Sequence, residues 1–126
     1  MKSGAVDEYV TETPRSRELH ERATAVMPGG DTRSATYHKP YPSYVQSASG
    51  CRLVTEDDAE LIDFLNNYTQ SVLGHAPPAV VEAVTDRFGR GNGVGAPTED
   101  AVMLAERLVS RIPSIEQVRF GNSGTE

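Results

Sequence analysis

The last residues of the chain carry its plainest chemistry. Gly121-Asn122-Ser123-Gly124-Thr125-Glu126 follows Glu116-Gln117-Val118-Arg119-Phe120, a short run with strand character. A strand that runs into a turn of Gly, Ser and Thr can hold a phosphate without cationic side chains. Gly124 lets the backbone approach closely, the Ser123 and Thr125 hydroxyls add donors, and the first N–H groups of a following helix would point at the anion. The same Ser-Gly-Thr-Glu run also suits a plain turn or a helix N-cap, so the pattern alone leaves both readings open. A phosphate-loop helix would need residues after Glu126, and the chain is therefore read as the N-terminal piece of a longer domain.

Other constellations are set aside on spacing. Gly91-Asn92-Gly93-Val94-Gly95-Ala96 has the form of a dinucleotide fingerprint but follows a helical pattern where the fingerprint must follow a strand; it reads as a connector. His20, His38 and His75 lack metal-ligand spacing, and His75 reads as a hydrogen-bonding residue ahead of a helix, not a base. No carboxylate pair sits near a nucleophile. Cys51, the single cysteine, allows no internal disulfide and is expected to be a buried structural thiol, in keeping with a cytoplasmic location. A formal net charge of -6 without a basic run argues against nucleic acid. No apolar stretch approaches the roughly 20 residues needed to cross a bilayer.

Positioning these groups requires an α/β frame. Residues 1–14 read as a solvated, disordered tail. A first helix is expected over Ser16–Met27, stopped by Pro28-Gly29-Gly30, with Leu19, Ala23, Val26 and Met27 on one face. Tyr44–Ser47, Cys51–Thr55 and Leu61–Leu65 read as three short strands of a meander. Pro77-Pro78 opens a helix with Val80, Val81, Val84 and Phe88 inward. A further helix starts near Thr98, with Glu99 and Asp100 favourable at its N-terminus and Val102, Ala105, Val109 and Ile112 inward.

Several segments occur in a fixed order: Arg15-Ser16-Arg17-Glu18-Leu19, Val26-Met27-Pro28-Gly29-Gly30, Leu61-Ile62-Asp63-Phe64, Gly74-His75-Ala76, Gly95-Ala96-Pro97-Thr98-Glu99 and Val118 through Glu126. From about Arg15 to its last residue the chain resembles the N-terminal third of glutamate-1-semialdehyde 2,1-aminomutases and related class III aminotransferases. The resemblance implies an incomplete fold-type I pyridoxal-phosphate (PLP) transferase. Residues 15–73 would form the N-terminal helix and small-domain meander, and 74–126 the start of the PLP-binding large domain. It also implies a homodimer acting on small-molecule amino donors and acceptors, with Ser123, Gly124 and Thr125 on the cofactor phosphate.

In this family the loop after Gly30 reads the substrate. Here it runs Asp31-Thr32-Arg33-Ser34, departing from the Asn-Ser-Pro-Val-Arg type of true aminomutases and resembling aminotransferases of carboxylate-bearing amines. Arg33 could fork onto a substrate carboxylate or form a surface ion pair; Tyr68 could line the substrate pocket or a core or interface. Relatives place Asp-Gly where this chain has Asp58-Ala59, which leaves that hairpin turn without a glycine. Lys2 and Lys39, the only lysines, do not match the family's Schiff-base position, so the chain by itself is expected to be inactive. The alternative is a non-catalytic module for binding or for pairing with a full-length homologue.

Overall fold

The computed structural model describes residues 3–123, which divide into two compact units, one up to Val84 and one from Thr85 on.

In the first unit the segment read as a disordered tail is instead helical: α1 spans Ser3–Glu12. Val6, Tyr9 and Val10 recur at helical spacing, and the Tyr9 ring packs on Tyr41 with centroids 5.3 Å apart. The Tyr9 hydroxyl donates to the Tyr41 carbonyl at 3.0 Å. An acidic surface concealed this anchor in the sequence. Helix α2 runs Pro14–Val26, with Pro14 in the first turn, where its missing N–H costs nothing. Gly29 and Gly30, both with positive φ, turn the chain out of α2.

Strands β1 (Val45–Ser49), β2 (Arg52–Thr55) and β3 (Glu60–Ile62) form the expected antiparallel meander in that order. Ser49 pairs with Arg52, so Gly50 and Cys51 are the two hairpin residues, and Gly50 takes the positive φ required at the first. That position explains why Cys51 is exposed and not buried as expected. The second turn, which lacks glycine, is made by Asp58 at φ 61°, a conformation Asp tolerates better than most residues. Strand β3 ends at Ile62, short of the expected Leu65, because Asp63 begins a turn. Residues Asn66–Thr69 form α3, a single turn in which all four residues have positive φ.

Helix α4 spans Pro78–Gly89 and α5 spans Glu99–Arg111, with Thr98 at the N-cap position but making no side-chain capping bond. Asp100 in the first turn of α5 meets Arg87 at 3.1 Å. The α4 stripe expected to be buried, Val80, Val81, Val84 and Phe88, is exposed among the described residues; on α5 Val102 and Ile112 are exposed, while Ala105 and Val109 are half-buried. No described element covers the exposed ones. The run 116–120 forms no strand either, since a strand needs a partner ladder and residues 85–123 offer none.

Candidate functional site

The loop after Gly30 is shaped by one carboxylate. Asp31 accepts the Arg33 N–H at 2.9 Å on one oxygen and the Thr36 hydroxyl on the other. The Thr36 N–H then closes onto the Arg33 carbonyl at 3.0 Å. The Thr36 hydroxyl, followed by the Arg33 N–H, holds the Asp31 carboxyl below its ordinary range. The loop leaves α2 tightly: a Cβ on Gly30 would lie 2.8 Å from the Thr24 methyl and 3.0 Å from the His20 ring. The Arg33 backbone is thus gripped, while its side chain is exposed and has no carboxylate among the described residues within ion-pair distance.

A cleft of about 670 Å³ opens beside this loop, walled by Val6, Tyr9, Thr36, His38, Leu65 and Tyr68 among others. Thr36 also borders a smaller cleft of about 290 Å³ with Asp31 and Tyr44. Burial, aided by the Asp31 charge, raises the Tyr44 phenol above its usual value. The structure therefore brings Tyr68 to the same cleft as the end of the Asp31–Thr36 loop. The Arg33 side chain does not line it.

A hydrogen-bonded pair that spacing alone did not reveal flanks the turn carrying Tyr68. Asp63 Oδ1 accepts the N–H groups of Leu65 and Asn66, each at 2.9 Å, and Oδ2 accepts His75 Nε2 at 2.7 Å. The His75 bond, then the Asn66 N–H, lowers the Asp63 carboxyl from its ordinary value. His75 also exchanges both backbone hydrogen bonds with Gly50, at 2.9 and 2.8 Å, and the Asp63 N–H donates to the Cys51 carbonyl at 2.8 Å, so both ends of the loop 63–75 are tied to the β1–β2 hairpin. The residue acts as the hydrogen-bonding partner expected of it, with Asp63 as that partner. The signal was present in the Asp63 and His75 segments, but nothing in the sequence linked one to the other.

In the second unit, Arg119, Phe120, Gly121, Asn122 and Ser123 line a cleft of about 640 Å³. An amide, a hydroxyl, backbone N–H groups and one guanidinium make a donor set that suits a phosphate ester. Gly124 and Thr125, named with Ser123 as phosphate contacts, lie outside the described residues. No group of three or more potential metal ligands occurs among the described residues, and no helix there is long and apolar enough to cross a membrane.

Comparison with known proteins places this geometry. The profile of the family Aminotransferase class-III matches residues 33–126. The glutamate-1-semialdehyde 2,1-aminomutase of Methanopyrus kandleri is 46% identical over 118 residues, covering 94% of this chain and 27% of that relative. Among solved structures, an omega-transaminase from Sphaerobacter thermophilus is 46% identical with a TM-score of 0.85, over 88% of this chain and 25% of that one. A β-phenylalanine aminotransferase from Variovorax paradoxus superposes with a TM-score of 0.91 at 31% identity, over 98% of this chain and 29% of that one. The chain spans about a quarter of the length of the relatives it matches. Another solved relative, 49% identical, is a transaminase with PLP bound. This chain belongs to the class-III aminotransferases, a family whose cofactor is pyridoxal 5'-phosphate.

Proposed function

We propose that this chain is the cofactor-phosphate and substrate-reading portion of an amino-group-transferring enzyme that works as a homodimer in the cytoplasm. The observation that carries the reading is the family match over residues 33–126, which includes both the loop at Arg33 and the Asn122-Ser123 turn. In this reading residues 15–73 belong to the N-terminal helix and small domain, and 74–126 begin the large domain. Pyridoxal phosphate, when bound, supplies an electron sink for the carbon that loses its proton during transfer. Ser123, with Gly124 and Thr125, holds phosphate oxygens through hydroxyl and backbone donors. Arg33 forks onto a substrate carboxylate, oriented by the Asp31 grip on its backbone. Tyr68 walls the substrate side of the cleft. Uncovered apolar side chains such as Phe64, 94% exposed, and Val72, 82% exposed, supply surface for a partner copy or for further chain.

Neither Lys2 nor Lys39 stands at the family's Schiff-base position, so the 126 residues alone are inactive. The test is to mix the purified chain with pyridoxal phosphate and an amine donor. The expected result is no stable near-visible absorbance band and no amine-dependent turnover. A stable band with turnover overturns the inactivity. Transfer activity in a protein of the relatives' length carrying this segment, weakened cofactor binding in its Ser123→Ala variant, and a dimer by light scattering test the rest.

A further inference from the structure

The turn that carries Tyr68 is strained. Asn66, Asn67, Tyr68 and Thr69 have φ of 51°, 46°, 56° and 70°. The left-handed region crowds Cβ against the following carbonyl oxygen, which Asn66 and Asn67 tolerate better than most residues and Tyr68 and the β-branched Thr69 do not. Such a turn persists only when its surroundings over-determine it. Its own bonds are weak: Thr69 N–H to the Leu65 carbonyl and Gln70 N–H to the Asn67 carbonyl are both 3.4 Å, and Ser71 N–H to the Asn66 carbonyl is 3.2 Å.

The strong contacts lie at the edges of the turn. Ahead of it, the Asp63 carboxylate receives two successive N–H groups, and the Asp63 N–H is pinned to the Cys51 carbonyl at 2.8 Å. After it, His75 pairs with Gly50, and Gly74 crosses so close that a Cβ there would lie 2.7 Å from the Gly50 carbonyl oxygen. The Asp63–His75 bond joins these two edges. It is charge-assisted on the carboxylate side, and Asp63 is largely shielded, its side chain 9% exposed.

We propose that Asp63 and His75 are a positioning pair. Their side-chain bond clamps residues 64–74 into a short closed loop and so forces Tyr68 into the left-handed conformation that presents it to the 670 Å³ cleft. The proposal rests on the reading of Tyr68 as a substrate wall, which it extends by assigning the residues that hold it in place. Neither Asp63 nor His75 touches substrate in this scheme.

The test has a spectroscopic and a kinetic arm. In NMR spectra of this chain, a strong intraresidue HN–Hα NOE at Asn67 and Tyr68 reports positive φ, and ring nitrogen shifts report the His75 tautomer. The expected result is a proton on Nε2. His75→Ala abolishes the positive-φ signature while the amide shifts of β1 and β2 stay in place, and His75→Gln, which can still donate to Asp63, restores it. A signature that survives in His75→Ala overturns the proposal. So does an unprotonated Nε2 in the unmodified chain, which decides the matter even if the alanine variant does not fold. In a protein of the relatives' length carrying this segment, His75→Ala raises KM about tenfold with kcat within about twofold, because the displaced Tyr68 ring is lost equally to the bound substrate and to the transition state. If Tyr68→Ala leaves KM unchanged while His75→Ala still abolishes the signature, the positioning stands and the substrate role of Tyr68 falls.

Discussion

Asp57 reaches back across 41 residues to cap α2 at Ser16: its Oδ2 accepts the Ser16 hydroxyl at 2.5 Å and the Ser16 N–H at 3.1 Å, while Oδ1 accepts the Arg15 N–H at 2.7 Å. Ser16 is fully buried and passes the contact on, accepting the Tyr44 N–H at 3.1 Å. Thr13 stands at the N-cap position, but its hydroxyl bonds the Tyr9 carbonyl and the Tyr41 hydroxyl and caps no helix N–H, so the β2–β3 turn supplies a cap that the helix lacks locally. One carboxylate therefore fixes the helix, the turn and the chain entering β1 at Tyr44.

Removing that cap has a measurable consequence. Asp57→Ala is expected to destabilise the first unit by about 1–2 kcal/mol, the range for loss of an N-cap. Ser16→Ala should cost a similar amount, and the double variant clearly less than the sum, because the two side chains share one bond. Urea unfolding followed by circular dichroism measures all three; additive costs would show that the contact does not couple the two residues.

Acid should act on the same groups. Burial pushes the Asp57 carboxyl up, but the Ser16 hydroxyl and the N–H groups of Arg15 and Ser16 outweigh it, and the carboxyl lies below its ordinary value. Asp63 and Asp31 are lowered as well. A carboxyl whose folded pKa is depressed contributes stability that is complete above its unfolded value, about 3.9, and is lost as pH falls through the folded value. The urea midpoint should accordingly hold level from pH 7 to about 5 and decline below about 4. A midpoint that fell between pH 7 and 5 would point to histidines instead.

Two glycines with positive φ should respond differently to alanine. Gly74 has φ 77° and a backbone carbonyl where the Cβ would go, and Gly74→Ala is expected to cost roughly 3 kcal/mol from strain and clash together. Gly29 has φ 71° and open space, so Gly29→Ala should cost only about 1 kcal/mol. Equal costs at the two sites would mean that the Gly74–Gly50 crossing is looser than described.

At Arg33 the expected effect is on substrate choice. In a protein of the relatives' length carrying this segment, Arg33→Ala should lower kcat/KM for carboxylate-bearing amines by about 10- to 150-fold, the range for a hydrogen bond to a charged group. Amines without a carboxylate should be little affected. An equal fall for both substrate classes would assign Arg33 to loop structure.

Secondary structure was legible wherever local chemistry decides it. Proline and glycine punctuation located α2, α4 and α5, and short β-rich runs located the three strands, because these signals act over a few residues. The motifs that carry the family resemblance are equally local. Helix α1 escaped notice because its anchor is Tyr41, far along the chain, and a flanking acidic surface resembles a solvated tail. The exposed stripe of α4 and the half-covered one of α5 show the converse: periodicity says which face a helix prefers to bury and nothing about what covers it.

By itself the sequence determined the family and the order of α2, the three strands, α4 and α5. Only the tertiary structure decided that Asp57 caps a helix 41 residues away, that Asp63 and His75 bond across a closed loop, and that Tyr68 stands left-handed at the cleft. Propensities and turn signals are written within a few neighbouring residues. A carboxylate can choose among many distant N–H partners, and the packed chain selects one by bringing it within 3 Å.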